Sequence, residues 1–369
     1  LFEFDRNLAA FDGTNLIGTA GIFSTEMTIP GGSIPMAAVT FVSVKPTHRR
    51  RGVLSGVMRR QLEGVKERGE AVATLWASES AIYGRFGYGP AIEMEIVEIP
   101  RAHSALRRDL PESAGSMRLL TAEEAKLELP GLHERLRKAS PGELARNERW
   151  WDIRIFRDPA DWRDGYTANR YAVYEGASGP EGYVRYRTKG DFNSWLPNGK
   201  LAIEEMFAGT VEASVGMWRY LFGVDLIATI ARETSAMDDP IVGMLADPRR
   251  VDRKRLDGIW LRVLDIEQAL SARSYRSEGR VVFEIRDGFL PWDNGRYELE
   301  GGPGGAVCRR TDASPSIVLG MEELGAAYLG GARLETFWRA GRVAGDERAI
   351  GEADAMFSWH RLPYCQEHF

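Results

Sequence analysis

The sequence predicts a mixed α/β fold of the α+β class, divided among two or three domains. Three observations support this prediction. At 369 residues the chain exceeds the usual size of one hydrophobic core. An order of strand, turn, helix and strand over residues 37–76 has a counterpart over residues 182–231, and the last third consists of strands followed by helices. We therefore expect two related α/β units followed by a sheet capped by helices.

The segment FVSVKPTHRRRGVL, residues 41–54, contains a candidate ligand-binding turn. Residues 41–44 are typical of a buried strand that Pro46 ends, and apolar residues at helical spacing from Val53 predict a helix that stops at Gly69. Three arginines and Gly52 therefore lie on the turn immediately before the N-terminus of the predicted helix. Unpaired N–H groups, the positive end of the helix dipole and close backbone approach at Gly52 all favour a bound anion such as phosphate there.

The same arginines have two other interpretations, a solvated basic turn and a nucleic-acid contact. Basic patches that bind nucleic acid usually run to about five to eight basic residues. This run has three arginines, and the chain has a formal net charge of -5 and a pI near 5.8. Composition therefore disfavours a nucleic-acid partner, while the solvated turn stays open when the run is considered by itself.

A second strand, residues 71–76, follows the predicted helix and leads into SESAIYGRFGYG, residues 78–89. This order resembles the acetyl-coenzyme A site of the GCN5-related N-acetyltransferases (GNATs), whose turn has the pattern Q/R-x-x-G-x-G/A. Leu54 stands where that family usually has Gly or Ala. The segments KPTHRRRGVL, WASES and IYGRFGYG resemble the enhanced intracellular survival (Eis) branch of the family, and the resemblance extends over the whole chain.

The resemblance implies three domains. They are a GNAT domain at 1–104, a central GNAT-like domain without a cofactor site at 105–260, and a sterol carrier protein-like domain at 261–369 that ends in a catalytic C-terminus. The turn entering the predicted central helix reads AGTVEAS, which is acidic and lacks arginine, as a degenerate copy should. A GNAT domain normally begins with a strand and helices ahead of the hairpin that opens this chain. The N-terminal part of the domain is therefore expected to lie upstream.

The GGPGG run, residues 301–305, is the other candidate phosphate loop. It lacks the following Lys-Ser/Thr of that motif and separates two predicted strands. We therefore predict a hairpin turn there.

The resemblance implies acetyl-coenzyme A as the co-substrate. Its pantetheine arm is expected to bond to the main chain of a strand that splays from its neighbour, and its phosphates to the arginine turn. Main-chain N–H groups of that strand are also expected to stabilise the oxyanion of the reacting thioester. The expected cofactor-binding residues are Val42, Ser43, Val44, Arg50, Arg51, Gly52, Val53, Leu54, Ser55, Ser78 and Glu79.

Two residues are expected to move protons. Tyr83 matches the family's general acid, although a tyrosine there can also be packing, and Tyr88 provides the internal comparison. A phenol near pKa 10 is poorly matched to a thiol near 8.5, so proton transfer is expected late or through water unless the site favours the ionised phenol. In Eis proteins the C-terminal carboxylate acts as the general base, which implies the carboxylate of Phe369. Glu367 and His368 are the alternatives.

The predicted function is an acetyl-coenzyme A-dependent N-acetyltransferase that acts on primary amines of polycationic small molecules such as aminoglycosides. Two alternatives stay open: a protein lysine N-acetyltransferase, and a lipid-carrier or interaction protein with an inactive GNAT domain. The chain has two cysteines, five histidines without metal-ligand spacing, and no apolar run near the ~20 residues of a membrane span. We expect a cytoplasmic enzyme with no metal, no nucleic-acid partner and no membrane span, and the family implies a homohexamer.

Overall fold

The computed structural model describes residues 3–112 and 114–369. These residues form two compact units. The first contains residues 3–93, 140–145 and 257–369, and the second contains residues 94–139 and 146–256. The chain therefore leaves the first unit after Glu93, returns to it briefly at residues 140–145, and belongs to it again from Asp257 onward.

The helices and strands follow in chain order. Up to residue 90 they are β1 (Leu8–Asp12), β2 (Asn15–Ile29), β3 (Gly32–Val44), α1 (Val53–Glu67), β4 (Val72–Trp76), α2 (Ser80–Tyr83) and β5 (Gly89–Pro90). Up to residue 257 they are β6 (Glu93–Pro100), β7 (Ser116–Leu120), α3 (Ala122–Arg137), α4 (Glu148–Trp150), β8 (Arg170–Gly176), β9 (Gly179–Lys189), β10 (Phe192–Asn193), β11 (Leu196–Pro197), β12 (Gly199–Ala208), α5 (Val211–Phe222), β13 (Ile227–Ala236), α6 (Ile241–Met244) and β14 (Asp252–Asp257). The remainder are β15 (Ile259–Val263), α7 (Ile266–Ala272), β16 (Gly279–Arg286), β17 (Gly295–Gly302), β18 (Gly305–Arg310), β19 (Ile317–Gly320), α8 (Met321–Ala327), α9 (Leu334–Arg339), β20 (Ala344–Gly345) and α10 (Glu347–Phe357).

The first sheet has the strand order β1-β2-β3-β4-β15-β5. Strands β3 and β4 are parallel, and α1 is the crossover between them. The predicted apolar stripe of α1 is buried against the sheet through Val57, Met58, Leu62 and Val65. The predicted order of strand, turn, helix and strand is therefore confirmed, and it brings the arginine turn to the carboxyl end of β3.

One strand assignment from the sequence is wrong. The sequence also predicts a strand at residues 93–99, within the GNAT domain expected at 1–104, but β6 pairs with β13 of the second sheet. In the first sheet the neighbour of β4 is instead β15, which pairs antiparallel with both β4 and β5. Alternating apolar residues predict that a segment is a strand, but they do not encode which distant strand it will join.

The second sheet has the order β14-β6-β13-β12-β9-β8-β7. Its β12 is antiparallel to β9 and parallel to β13, with α5 as the crossover, so it repeats the connection of β2, β3, α1 and β4. The largest fully buried side chain of its core is Trp218 on α5. The predicted second copy of the motif is thus present.

The third sheet, β18-β17-β16-β19-β20, lies in the first unit. The GGPGG run is a hairpin turn as predicted, because Gly302 pairs with Gly305 across β17 and β18. The sequence predicts helices at residues 321–329 and 346–357, and α8 and α10 are found there, whereas α7 and α9 are additional.

Candidate active site

The turn between β3 and α1 is held open at the helix N-terminus. Arg50 and Gly52 both have left-handed backbone conformations, with φ of 62° and 83°. Gly52 is the N-cap of α1 and has no side chain that could bond to the first N–H groups of the helix. His48 ties the turn to the β1–β2 hairpin, since its Nε2 lies 3.2 Å from Asp12 Oδ2. The main chain thus presents unpaired donors at a fixed place beside the arginines.

Beside this turn, β3 separates from β4. The two strands pair only from Met36 with Val72 to Val39 with Leu75, while β3 continues to Val44. A bulge marks the point of separation, where Phe41 has a φ of 52° and the pairing of β3 with β2 shifts. Among the described residues, Val42, Ser43 and Val44 therefore have no β4 partner, as the splayed-strand prediction requires.

A cleft of about 500 Å³ opens at this separation. Ten of the eleven expected cofactor-binding residues line it, and so does Tyr83. Arg51 is the exception, because its side chain is exposed and is not among the lining residues. Phe369 is not among them either. Five further lining residues lie in the motifs identified from the sequence but were not among the expected cofactor-binding residues: His48, Arg49, Ile82, Arg85 and Phe86.

Tyr83 lines the cleft as the last residue of α2. It is only 6% exposed, and its ring packs edge-on against Phe86 and Tyr88 at centroid distances of 6.5 and 6.1 Å. Burial raises the pKa of Tyr83 above its ordinary value. The site therefore does not favour an ionised phenol, and Tyr83 keeps its proton at neutral pH. Tyr88 is fully buried and does not line the cleft.

Arg262 and Asp287 support the backbone that follows Tyr83. The buried guanidinium of Arg262 on β15 donates to the carbonyl oxygen of Phe86 and to the carboxylate of Asp287. Gly87 is in the left-handed region, with φ of 75°, and a Cβ there would lie 1.9 Å from Arg262 Nη1. Glycine at this position is what allows Arg262 to approach the backbone so closely.

The C-terminal tail, residues 358–369, ends at the top of β4. The amide of Tyr364 donates to the carbonyl of Pro141 at 2.8 Å. Farther along, the indole Nε1–H of Trp76 donates to the carbonyl of Glu367 at 3.0 Å, and the Trp76 ring stacks on His368 at 4.7 Å. Glu367 is buried, whereas Phe369 is half-buried. The tail is therefore bound to the first unit beside the strand that leads to the cleft.

Comparisons with known proteins agree with this geometry. Residues 1–91 match the family model of an acetyltransferase (GNAT) domain, residues 142–263 match a second acetyltransferase (GNAT) domain model, and residues 266–366 match a sterol carrier protein domain. An uncharacterized N-acetyltransferase of Streptomyces avermitilis is 38% identical over 100% of this chain and 90% of its own length. The N-acetyltransferase Eis of Mycobacterium tuberculosis is 34% identical over 94% of this chain and 84% of its own.

The crystal structure of Eis1 from Mycobacterium abscessus superimposes with a TM-score of 0.88 at 35% identity, covering 100% of this chain and 91% of that one. The chain belongs to the Eis family of N-acetyltransferases. The predicted family, the mixed α/β fold and the predicted enzyme class are confirmed. As a GNAT acetyltransferase the enzyme uses acetyl-coenzyme A as acetyl donor. The cleft fits that molecule, because it combines an uncapped helix N-terminus with an unpaired strand edge.

The central GNAT domain of this Eis-family chain has a different helix entry. Thr210 is the N-cap of α5, and its hydroxyl oxygen accepts a hydrogen bond from the amide of Ala213 at 3.1 Å. The same hydroxyl donates to Glu181 at 2.9 Å, and Glu212 lies in the first turn. The helix N-terminus is thus occupied by its own side chains and surrounded by negative charge.

A second cleft, of about 470 Å³, lies in the central unit and is lined in part by His133, Arg146 and Trp151. Arg146 donates to both carboxylate oxygens of Glu205, at 3.0 and 2.8 Å. Burial, together with the charge of Arg146, lowers the pKa of His133 to about 2. Burial acts to raise the pKa of Glu205, but Arg146 and Arg185 lower it to about 2. These residues come from separate elements, and no sequence motif joins them.

Within residues 3–112 and 114–369, no group of three or more His, Cys, Asp or Glu side chains could hold a metal ion. No helix in the same ranges is long and apolar enough to cross a membrane.

Proposed function

We propose that this Eis-family enzyme transfers the acetyl group of acetyl-coenzyme A directly to primary amines of polycationic small molecules, with aminoglycosides as the acceptor class. The observation that carries the proposal is that the uncapped N-terminus of α1, the unpaired edge of β3 and Tyr83 share one cleft. The acceptor class rests on the resemblance to Eis proteins. The net charge of -5 favours cationic acceptors in a general way.

The donor is held at two places in the proposal. Its phosphates lie at the N-terminus of α1, where the main chain around Gly52 and the guanidinium of Arg50 supply donors. Its pantetheine arm lies along Val42, Ser43 and Val44, where β3 has no β4 partner. The thioester carbonyl then faces N–H groups of β3, which stabilise the negative charge that develops on its oxygen.

The chemistry proceeds through one tetrahedral intermediate. The amine nitrogen forms a bond to the thioester carbonyl carbon, the carbonyl electron pair moves to oxygen, and a base takes the proton that leaves nitrogen. When the intermediate collapses, the C–S bond breaks and the sulfur takes a proton from the hydroxyl of Tyr83. Burial raises the pKa of Tyr83, so its hydroxyl stays protonated throughout the neutral range but is a weak acid toward the thiolate. Its proton therefore passes late in the step or through water, as expected from the sequence for a site that does not favour the ionised phenol. Solvent then returns a proton to the phenolate.

The proposed base is the main-chain carboxylate of Phe369. The binding of the tail at Trp76 supports this assignment, because it holds the last residues next to the strand that leads to Ser78 and Glu79 in the cleft. Glu367 and His368 are the alternative bases. His368 stacks on Trp76, which fixes its ring against the tryptophan.

A thiol-release assay with purified enzyme, acetyl-coenzyme A and a panel of amines tests the function. The panel contains an aminoglycoside, a linear polyamine and a lysine-containing peptide, and mass spectrometry confirms each acetylated product. We expect the highest kcat/KM with the aminoglycoside. A higher value with the peptide would favour the protein lysine acetyltransferase instead. Absence of thiol release with all three amines would refute the proposed acceptor class.

Extending the chain tests the base. Appending two residues after Phe369 moves the carboxylate away from the acceptor amine, so kcat should fall by at least about tenfold while acetyl-coenzyme A still binds. Deleting Phe369 should have the same effect. An extended enzyme that acetylates the amine at the original rate would direct attention to Glu367 or His368.

We also propose that the enzyme is a cytoplasmic homohexamer. The hexamer rests on the family resemblance, and the cytoplasmic location rests on the two cysteines, which are too few for a disulfide framework. Light scattering coupled to size-exclusion chromatography measures the assembly directly. A monomer at micromolar concentration would contradict it.

A further inference from the structure

Trp76 joins the end of the chain to the strand that leads to the cleft. It is the last residue of β4, where its backbone pairs with Ile259 of β15. Its indole makes two different contacts with the tail, a hydrogen bond from Nε1–H to the carbonyl of Glu367 and a face-to-face stack with the imidazole of His368. One rigid side chain therefore fixes both the backbone and a side chain of the last three residues.

The location of Trp76 connects these contacts to the reaction. Two residues after it, Ser78 and Glu79 line the cleft, and α2 then leads to Tyr83. The strand that carries Trp76 is held on its far side by β15. A displacement of the tail relative to Trp76 is thus a displacement relative to the cleft.

We propose that Trp76 is a positioning residue that holds the tail so that the Phe369 carboxylate stays at the acceptor amine. This inference rests on the proposed function of that carboxylate. A base on a free tail occupies the reactive position for only a small fraction of the time, and a misplacement of about 1 Å can cost about 10²-fold in rate. The two contacts to Trp76 act on the two residues immediately before Phe369.

Tryptophan suits this role because it combines an aromatic face with an N–H donor at its edge. Trp76→Phe keeps an aromatic face for His368 and removes the donor to Glu367. Trp76→Ala removes both contacts. On the other side of the stack, His368→Phe keeps an aromatic ring for Trp76 and removes the imidazole nitrogens, while His368→Ala removes the ring.

The experiment measures kcat, the KM for acetyl-coenzyme A, and deuterium exchange of the tail amides in these four variants of the full chain. In Trp76→Ala we expect kcat to fall about tenfold or more, KM for acetyl-coenzyme A to change less than about twofold, and tail amides to exchange faster. Trp76→Phe should show a smaller loss. His368→Ala should lose activity, and His368→Phe should recover most of it.

The outcomes separate this inference from the proposed function. Unchanged kcat and unchanged tail exchange in Trp76→Ala would overturn the role of Trp76. Failure of His368→Phe to recover activity would show that the imidazole, rather than its stack on Trp76, is what the reaction needs. If chain extension after Phe369 leaves the rate unchanged, the carboxylate fails as the base. Faster tail exchange in Trp76→Ala then still supports Trp76 as the anchor of the tail, and unchanged exchange overturns it.

Discussion

The two parallel crossovers of this chain differ in how their helices begin. In the first unit α1 begins at Gly52, which has no side chain and a left-handed backbone. In the central unit α5 begins at Thr210, whose hydroxyl occupies the first turn, with Glu212 adding negative charge. The two units therefore share a connection of strands and helix that does not by itself determine whether an anion binds. Whether it can hold an anion depends on the few residues at the helix entry.

The same pair of units differs at the short helix after the second parallel strand. In the first unit α2 ends with Tyr83, whose ring lines the cleft. In the central unit α6 ends with Met244, which is buried in the hydrophobic core of that unit. A hydroxyl that can donate a proton is therefore replaced by an apolar thioether at the corresponding place.

The largest effect should come from Tyr83. Tyr83→Phe removes one hydroxyl and keeps the ring, so kcat should fall by about 10²-fold or more while the protein stays folded. Tyr88→Phe and Met244→Leu are the matched controls, and both should keep at least half of the original kcat in the thiol-release assay. If Tyr83→Phe retained activity like the controls, the acid would have to be found elsewhere.

The arginine turn should give the next largest effect. Arg50 lines the cleft and Arg51 does not. Arg50→Ala should therefore raise the KM for acetyl-coenzyme A about tenfold, through loss of a charge-assisted contact to phosphate, while Arg51→Ala should raise it less than about twofold. Titration calorimetry with coenzyme A measures the same difference without turnover. Equal effects of the two substitutions would contradict the assignment by geometry.

Lowering the pH should decrease the stability of the central unit, because His133 and Glu205 have lowered pKa values in the folded protein. The pKa of each is about 2 in the folded protein, below the ordinary values of 6.5 and 4.5, so the unfolded chain binds more protons. The free energy of unfolding has its full contribution from these two groups above about pH 6.5. It decreases as pH falls below about 6.5, where His133 takes up a proton in the unfolded chain, and decreases further below about pH 4.5, where Glu205 does the same. Arg146 and Arg137 face His133 and oppose its protonation.

His133→Phe tests that sign. It keeps the edge-on packing on Trp151 and Phe207, at ring distances of 5.4 and 5.1 Å. The urea midpoint of the variant should be nearly flat from pH 7 to 5, where the original protein loses stability, and both should decline below pH 4.5. A variant that keeps the full decline between pH 7 and 5 would show that another group titrates.

The smallest effect should come from the cap of the central helix. Thr210→Ala removes the hydrogen bond to the amide of Ala213 and should lower the free energy of unfolding by about 1 kcal/mol. It should leave the KM for acetyl-coenzyme A unchanged. A change in that KM would mean that the central helix entry takes part in donor binding.

Sequence alone predicted what is local. The strand before the arginine turn and the helix after it are encoded by neighbouring residues, so β3 and α1 were predicted. The left-handed backbone at Arg50 and Gly52 came from the structure. Which of two adjacent arginines reaches the cleft depends on backbone rotation at Arg50, which no pattern encodes. Helix α3 was missed because Pro130 and Gly131 interrupt a largely charged segment.

The contacts of Trp76 and Arg262 were also missed. Trp76 meets a carbonyl 291 residues later in the chain, and Arg262 donates to one 176 residues earlier. Contacts at such separations arise from the tertiary fold, and single-sequence periodicity has no information about them. Resemblance to the Eis family supplied the proposed role of the tail, whereas the contacts of Trp76 with the tail came from the structure.

The first sheet can be completed only after β15 has been synthesised, because β15 lies between β4 and β5. Strand β4 acquires its second neighbour, and β5 its only described partner, when residues 259–263 emerge. At about 5–20 residues per second, roughly ten to forty seconds separate the appearance of β4 from that of β15 on the ribosome. During this interval the edge of β4 is unpaired, and pairing across such a sequence distance is slow. The nascent enzyme therefore holds an incomplete catalytic sheet until most of the chain has been made.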